Sequence, residues 1–302
     1  MTDYAIETHG LSVYYGRHRG ILNVDLRVEQ GEVFGFLGPN GAGKTTTQRV
    51  LVDIIRPTAG EARIFGLDCQ KEGVAVRERV GYLPGELAMY EGMRTRRFFR
   101  MYASLQKGNE DPEYWQTLAD RLELDTSRRI GQLSRGNKQK VGVVTAFMSK
   151  PDLLILDEPT TGLDPLVQQT VMELVREANG VGATVFFSSH ILPEVQAVCD
   201  RVGIIREGQL VATERVEDLM TQHFKRLRLR FATELPEDAF AGEGVTVLAR
   251  DLQGMTLEIR QDLDRVMREA ASYGITDIET IHVSLEEIFL AYYGRGNGGN
   301  HA

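Results

Sequence analysis

Apolar and polar residues follow three kinds of pattern along this chain, and each predicts a different part of the architecture. Leu22, Val24, Leu26 and Val28 alternate with Asn23, Asp25 and Arg27, the period of a strand with one buried face. The segment from Gly60 to Gly66 reads as another such strand. Glu32 to Leu37, Leu153 to Leu156 and Thr184 to Phe187 are instead nearly continuous apolar runs, as expected of strands covered on both faces in a parallel sheet. A helical stretch from Leu166 to Ala178 separates the last two, which is βαβ spacing. Thr47, Val50, Leu51 and Ile54 recur at helical spacing until Arg56-Pro57 stops the run. Residues 86–150 are mostly helical in period, with Trp115, Leu118 and Leu122 supplying the stripe. Past about Met220 the texture changes to short strands, namely Phe224 to Ala232, Gly244 to Arg250, Met255 to Arg260 and Ile275 to Ile281. Two helices accompany them, one marked by Leu263, Val266, Met267 and Ala270, the other by Leu285, Ile288, Phe289 and Tyr292.

The expected fold class is therefore α/β. Residues 1–220 hold a parallel-sheet core, an antiparallel β subdomain and a helical subdomain at about 86–150. A small C-terminal α+β domain spans 221–293, and residues 294–302, rich in glycine and asparagine, read as a disordered tail.

Composition narrows the functional classes. With 302 residues, 42% of them hydrophobic, the chain can bury a sizeable core. No apolar stretch approaches the roughly 18 residues of a membrane span, and the first residues lack the blocks of a signal peptide, so a cytoplasmic location is expected. Cys69 and Cys199 have no metal-ligand spacing around them and are expected to be free thiols. A net charge of −8 argues against nucleic acid as a partner, because backbone binding needs a basic face. Two local basic clusters remain. Arg94, Arg96, Arg97 and Arg100 flank Phe98 and Phe99; Lys225, Arg226, Arg228 and Arg230 alternate with Leu227 and Leu229, as in a half-buried strand.

The chemistry begins at Gly38-Pro39-Asn40-Gly41-Ala42-Gly43-Lys44-Thr45-Thr46, which fits G-x-x-x-x-G-K-[ST]. In that pattern backbone N–H groups curl round phosphates, the lysine neutralises them and the hydroxyl holds a magnesium ion. A strand enters this loop and a helix leaves it, placing phosphate on a helix N-terminus. The core is thus expected to be a P-loop NTPase. Asp157 and Glu158 close the apolar run Leu153 to Leu156, where a parallel sheet delivers residues to its ligand edge. This is a Walker B pattern, with Asp157 holding magnesium and Glu158 polarising the water that attacks the γ-phosphate.

Leu133-Ser134-Arg135-Gly136-Asn137 precedes a helix that opens with Lys138-Gln139-Lys140; Ser134 can cap it and Gly136 permits close backbone approach. This segment resembles the signature loop of ATP-binding cassette (ABC) ATPases, usually Leu-Ser-Gly-Gly-Gln. The rest of that family's order is present over residues 4–220: Tyr15 before Gly16, Thr161-Gly162-Leu163-Asp164 like the D-loop, and Ser188-Ser189-His190 like the switch histidine. The resemblance implies that Tyr15 stacks on adenine and that Lys44 and the loop amides hold the β- and γ-phosphates. It also implies that Thr45 and Asp157 ligate Mg2+ and that His190 orients the attacking water. Ser134, Gly136 and Asn137 would contact the ATP of a second subunit, with Asp164 at the seam. Two chains would sandwich two ATP molecules, a homodimer being expected.

Two departures from the family pattern stand out. Gly85 occupies the position of the Q-loop glutamine in Tyr82-Leu83-Pro84-Gly85-Glu86, so either Glu86 reaches the metal or its water, or metal sensing there is weaker. Arg135 and Asn137 replace the glycine and glutamine of the signature.

No coiled-coil insertion and no second cassette is present in the sequence, which leaves the energising subunit of a membrane transporter. Val283 to Leu290 resembles the last helix of drug and antibiotic exporters, closest to the daunorubicin-resistance-like subgroup. The resemblance thus implies an exporter ATPase on the cytoplasmic side of the membrane, held there by an integral membrane permease. Met89 to Met93 and the arginine–phenylalanine cluster either form the transmission surface toward that permease or pack Phe98 and Phe99 inside the subdomain. Alternatives are a soluble ATP-driven switch acting on a protein or ribosome, which cell fractionation would reveal, and an importer ATPase.

Overall fold

A computed structural model describes residues 4–105, 111, 113–222, 225–232, 235–236, 239–251, 254–259 and 262–281. The helix expected through Leu285, Ile288, Phe289 and Tyr292, the exporter-like run Val283 to Leu290 and the tail at 294–302 lie outside the described residues. The chain divides into two compact units, residues 1–214 and 215–302.

In chain order, the first unit comprises β1 (Tyr4–Tyr15), β2 (His18–Glu29), β3 (Val33–Leu37), α1 (Lys44–Leu51), β4 (Ala59–Ile64), β5 (Leu67–Asp68), α2 (Gly73–Glu78) and β6 (Val80–Leu83). It continues with α3 (Thr95–Leu105), α4 (Tyr114–Arg121), α5 (Arg135–Phe147), β7 (Leu153–Asp157), α6 (Pro165–Gly180), β8 (Thr184–Ser189), α7 (Leu192–Val198), β9 (Arg201–Arg206) and β10 (Gln209–Arg215). A six-stranded sheet runs β10-β9-β3-β8-β7-β6, with β9, β3, β8, β7 and β6 parallel. Every residue of β3, β7 and β8 is buried, which explains their unbroken apolar runs: both faces are covered, so alternation has no purpose there. A second sheet, β2-β1-β4-β5, is antiparallel and packs Ile6, Leu11, Val24 and Leu26 into one core with Phe34, Phe36, Ile155 and Phe186 of the parallel sheet.

One helix ends earlier than its pattern predicts. The apolar spacing carries α1 to Ile54, yet it closes at Leu51 and leaves Ile54 57% exposed. Asp53 adopts φ 57, its N–H bonds to Val50 O (3.0 Å), and Ile54 N–H bonds to Arg49 O (2.8 Å). That is a Schellman cap with aspartate in the left-handed position usually held by glycine, which is why the sequence carries no obvious stop there.

Helices α3, α4 and α5 fill the stretch of helical period. Phe98 and Phe99 are buried, Phe99 lying 5.3 Å from Trp115 between ring centroids, so the phenylalanines pack inside while the arginines, Tyr90 and Glu91 face outward. Arg121 makes a bidentate pair with Glu177 of α6 (2.6 and 2.8 Å). Both cysteines are free and buried, as their context implied.

The second unit begins with α8 (Val216–Gln222) and continues with β11 (Lys225–Phe231), β12 (Val245–Arg250), β13 (Gly254–Ile259), α9 (Leu263–Ser272) and β14 (Ile275–Ile281). Its antiparallel sheet runs β12-β13-β11-β14. Leu227, Leu229 and Phe231 pack with Met255, Leu257, Val266 and Ala270, while the intervening Arg226 reaches Glu258 at 3.2 Å. The alternating basic run is thus one half-buried strand.

Candidate nucleotide site

Four parallel strands end on one edge of the six-stranded sheet, and each delivers part of the site. β3 leads into the glycine-rich loop and α1; β7 ends at Asp157 and Glu158; β8 ends at Ser188-Ser189, just before His190; β6 ends just before Pro84-Gly85. Ligands of open α/β sheets bind at this carboxyl edge. Gly43 takes φ 111, and a Cβ there would sit 2.6 Å from Ile21, so only glycine lets the loop turn into α1 between its neighbours. The helix that follows aims its free N–H groups at the loop, the arrangement that favours an anion.

A cleft of about 270 Å³ opens over that loop, lined by Tyr15, Arg19, Gly20, Asn40, Gly41, Gly43, Lys44, Thr45, Thr46 and Glu158. Most of the residues expected at phosphate and base from the loop itself meet here. Gly38 and Pro39 instead offer their carbonyls to Lys44 Nζ (2.6 and 3.3 Å), and Ala42 is buried behind the loop. Tyr15 is half exposed, its hydroxyl 3.3 Å from Thr46 Oγ1.

Glu158 is the most heavily constrained group of the site. Its backbone has φ 50, a left-handed conformation that glutamate rarely adopts. Its carboxylate lies 3.5 Å from Lys44 Nζ and 3.0 Å from His190 Nδ1, and accepts a bond from Thr161 Oγ1 at 3.2 Å. Its own carbonyl and that of Pro159 accept bonds from Gln139 Nε2 (3.2 and 3.1 Å). Sequence reading assigned Gln139 nothing beyond its place in the helix. The signal was available, because it is an amide within the buried stripe of α5, beside Val141, Val143 and Val144.

Asp157 is 1% exposed and doubly held, accepting from Thr45 Oγ1 (2.7 Å) and Ser188 Oγ (2.6 Å). Burial, and then the nearby Asp157 charge, push the Tyr82 hydroxyl up to about 12, which keeps it a neutral phenol. The donor set suits Mg2+. One hydroxyl and one carboxylate are adjacent hard oxygens, and such sites rely on substrate phosphates and water rather than on a full protein cage. Among the described residues no group of three or more His, Cys, Asp or Glu residues is placed to hold a metal ion.

Gly85 bears directly on this pair. A Cβ there would lie 2.9 Å from Asp157 Oδ2, so the missing side chain leaves room for the carboxylate. The side chain of Glu86 is 92% exposed and lies 3.8 Å from Arg49.

Ser134, Gly136, Asn137 and Asp164 do not line the cleft. Ser134 caps α5 through Asn137 N–H (3.2 Å), and Asp164 caps α6 through Val167 N–H (3.1 Å). A Cβ on Gly136 would meet Gly162 O at 2.7 Å, so the loop at 134–137 and the turn at 161–164 lie side by side. Beside them Leu166 is 78% exposed.

Fold and site together define a P-loop nucleoside triphosphatase. The family model described as "ABC transporter" matches residues 21–161. The bacitracin transport ATP-binding protein BcrA of Bacillus licheniformis is 31% identical over 97% of this chain and 99% of its own length. The daunorubicin/doxorubicin resistance ATP-binding protein DrrA of Streptomyces peucetius is 35% identical over 96% of this chain and 92% of its own. A solved ATP-binding subunit of an ABC transporter superposes with a TM-score of 0.67 at 29% identity, covering 72% of this chain and 92% of that one. The chain belongs to the ATP-binding proteins of ABC transporters, and it is an ATPase of that family. Such ATPases pair with one another and work with membrane permeases.

Proposed function

We propose that this protein hydrolyses Mg2+·ATP as a homodimer on the cytoplasmic side of the membrane and drives efflux through an integral membrane permease. The observation that carries the chemistry is Glu158, poised between Lys44, His190 and Thr161 in a strained backbone conformation. With ATP in the cleft, Tyr15 stacks on adenine while Lys44 and the amides of residues 38–46 hold the β- and γ-phosphates. Thr45 and Asp157 would hold Mg2+, which would offset the charge of the phosphates. Glu158 accepts the proton of the attacking water, and His190 orients that water and the γ-phosphate.

Ser134, Gly136 and Asn137 do not line their own cleft, and their phosphate contact is made to the ATP of the partner chain, with Asp164 and Leu166 at the seam. Efflux of a drug or antibiotic is supported by the relatives named for bacitracin transport and daunorubicin resistance, which align over nearly the whole chain. Among the described residues no helix is long and apolar enough to cross a membrane.

The test is Glu158→Gln protein combined with its membrane permease. With ATP and Mg2+ it should form a stable dimer that retains nucleotide without turnover. A monomer under those conditions, or undiminished hydrolysis, would sink the proposal.

A further inference from the structure

The cleft holds a second cation to which no family motif gives a role. Arg19, on β2, lines it between Tyr15 at the base end and the phosphate loop. Lys44, the other cation of the lining, is already committed to Gly38 O, Pro39 O and Glu158. Arg19 is not. Among the described residues its guanidinium makes one loose approach, 3.9 Å to Glu207, whose carboxylate is 71% exposed and is also faced by Arg206 Nε at 3.7 Å.

Glu207 is nonetheless placed with care. It occupies the turn between β9 and β10 at φ 49, beside Gly208. Gly208 N–H donates to Ala42 O of the phosphate loop (3.0 Å), and Gly208 O accepts from Leu22 N–H of β2 (2.7 Å). The strand carrying Arg19, the turn carrying Glu207 and the phosphate loop are thus tied into one frame. A guanidinium at that spot, with a weak and solvated anion as its resting partner, suits exchange onto a stronger one. Arginine forms short, bidentate bonds to phosphate that an exposed carboxylate at this distance does not match.

We propose that Arg19 is a nucleotide-binding residue which leaves Glu207 to grip the α-phosphate of the bound nucleoside triphosphate. This rests on the reading of the cleft as the ATP site. An α-phosphate contact is shared by ATP and ADP and absent from adenosine, which sets the experiment.

Dissociation constants for ATP and ADP, and competition by adenosine, are measured on the full-length protein at fixed salt. Arg19→Ala should weaken ATP and ADP alike, about tenfold, equivalent to about 1.4 kcal/mol, and leave adenosine unchanged. Glu207→Gln should tighten ADP severalfold, and this gain should vanish when Arg19 is also alanine. Wild-type affinity for ATP and ADP in Arg19→Ala, or an equal loss for adenosine, overturns the proposal. Lys44→Ala separates the two levels of the argument. If it too binds ATP as wild type does, the cleft is not the ATP site; if it fails while Arg19→Ala binds normally, only the role of Arg19 falls.

Discussion

Adding a single methyl group at Gly85 should weaken metal-dependent nucleotide binding while leaving the fold intact. The Cβ of Gly85→Ala would lie 2.9 Å from Asp157 Oδ2, whereas carbon–oxygen contacts settle at about 3.3 Å or more, so the carboxylate must retreat by about 0.4 Å. It has little freedom to do so, because it is buried and held at 2.7 Å by Thr45 and 2.6 Å by Ser188. Retreat lengthens at least one bond to a charged group, worth about 1.5–3 kcal/mol when lost outright. A partial loss of about 1.4 kcal/mol corresponds to a tenfold rise in the Mg2+ concentration needed for half-maximal ATP binding. The assay is titration of Mg2+ against a fixed, subsaturating ATP concentration, read by calorimetry, with ADP in the absence of Mg2+ as the control for intact folding. Gly85→Gln, which restores the family's usual residue, should suffer the same steric cost and should also change the ATPase rate. An unchanged Mg2+ requirement in both variants would refute the idea that the glycine makes room for Asp157.

Three further outcomes follow from buried groups. Gln139→Leu removes the amide that holds the carbonyls of Glu158 and Pro159, and should lower stability by about 1–3 kcal/mol and ATPase turnover about tenfold with little change in ATP affinity; equal loss of both would mean a general unfolding effect. Burial pushes the Cys69 thiol up to about 12, from an ordinary 9.0, and raises Cys199 as well. A raised folded value means that stability is fully present below pH 9 and is lost as pH rises toward 12, so the thermal midpoint should begin to fall above pH 9 and Cys69→Ala should flatten that limb. Alkylation of native protein at pH 8 should leave both thiols intact, and modification at the rate of an exposed thiol would contradict the burial.

The parallel core was legible in the sequence because its strands are buried on both faces and its loops carry fixed chemistry. Leu153 to Leu156 and Thr184 to Phe187 fall within β7 and β8, and the two ends carry Asp157 and Ser188 to the same edge. Strands such as β1 and β9 were not singled out, since Arg201 to Arg206 is short and interrupted by Gly203 while its meaning comes from pairing with β3. The end of α1 was missed for a local reason, an aspartate doing the work of glycine. At the site, motif residues announce themselves by spacing, whereas Gln139 and Arg19 act through positions set by distant strands and helices. Even the arginine–phenylalanine cluster needed coordinates, because burial of Phe98 and Phe99 depends on Trp115 arriving from another helix.

The left-handed backbone at Glu158 has an evolutionary consequence. Asparagine or glycine would relax that conformation and recover roughly 1 kcal/mol or more. Substitutions that relax this backbone therefore remove the carboxylate proposed to take the proton of the attacking water, and thermostability screens without an activity readout should recover them wherever the relief exceeds the lost contacts to Lys44, His190 and Thr161. A cassette that has lost hydrolysis but kept its nucleotide clamp would arise by this route more readily than by damage elsewhere, turning an engine into a regulated scaffold.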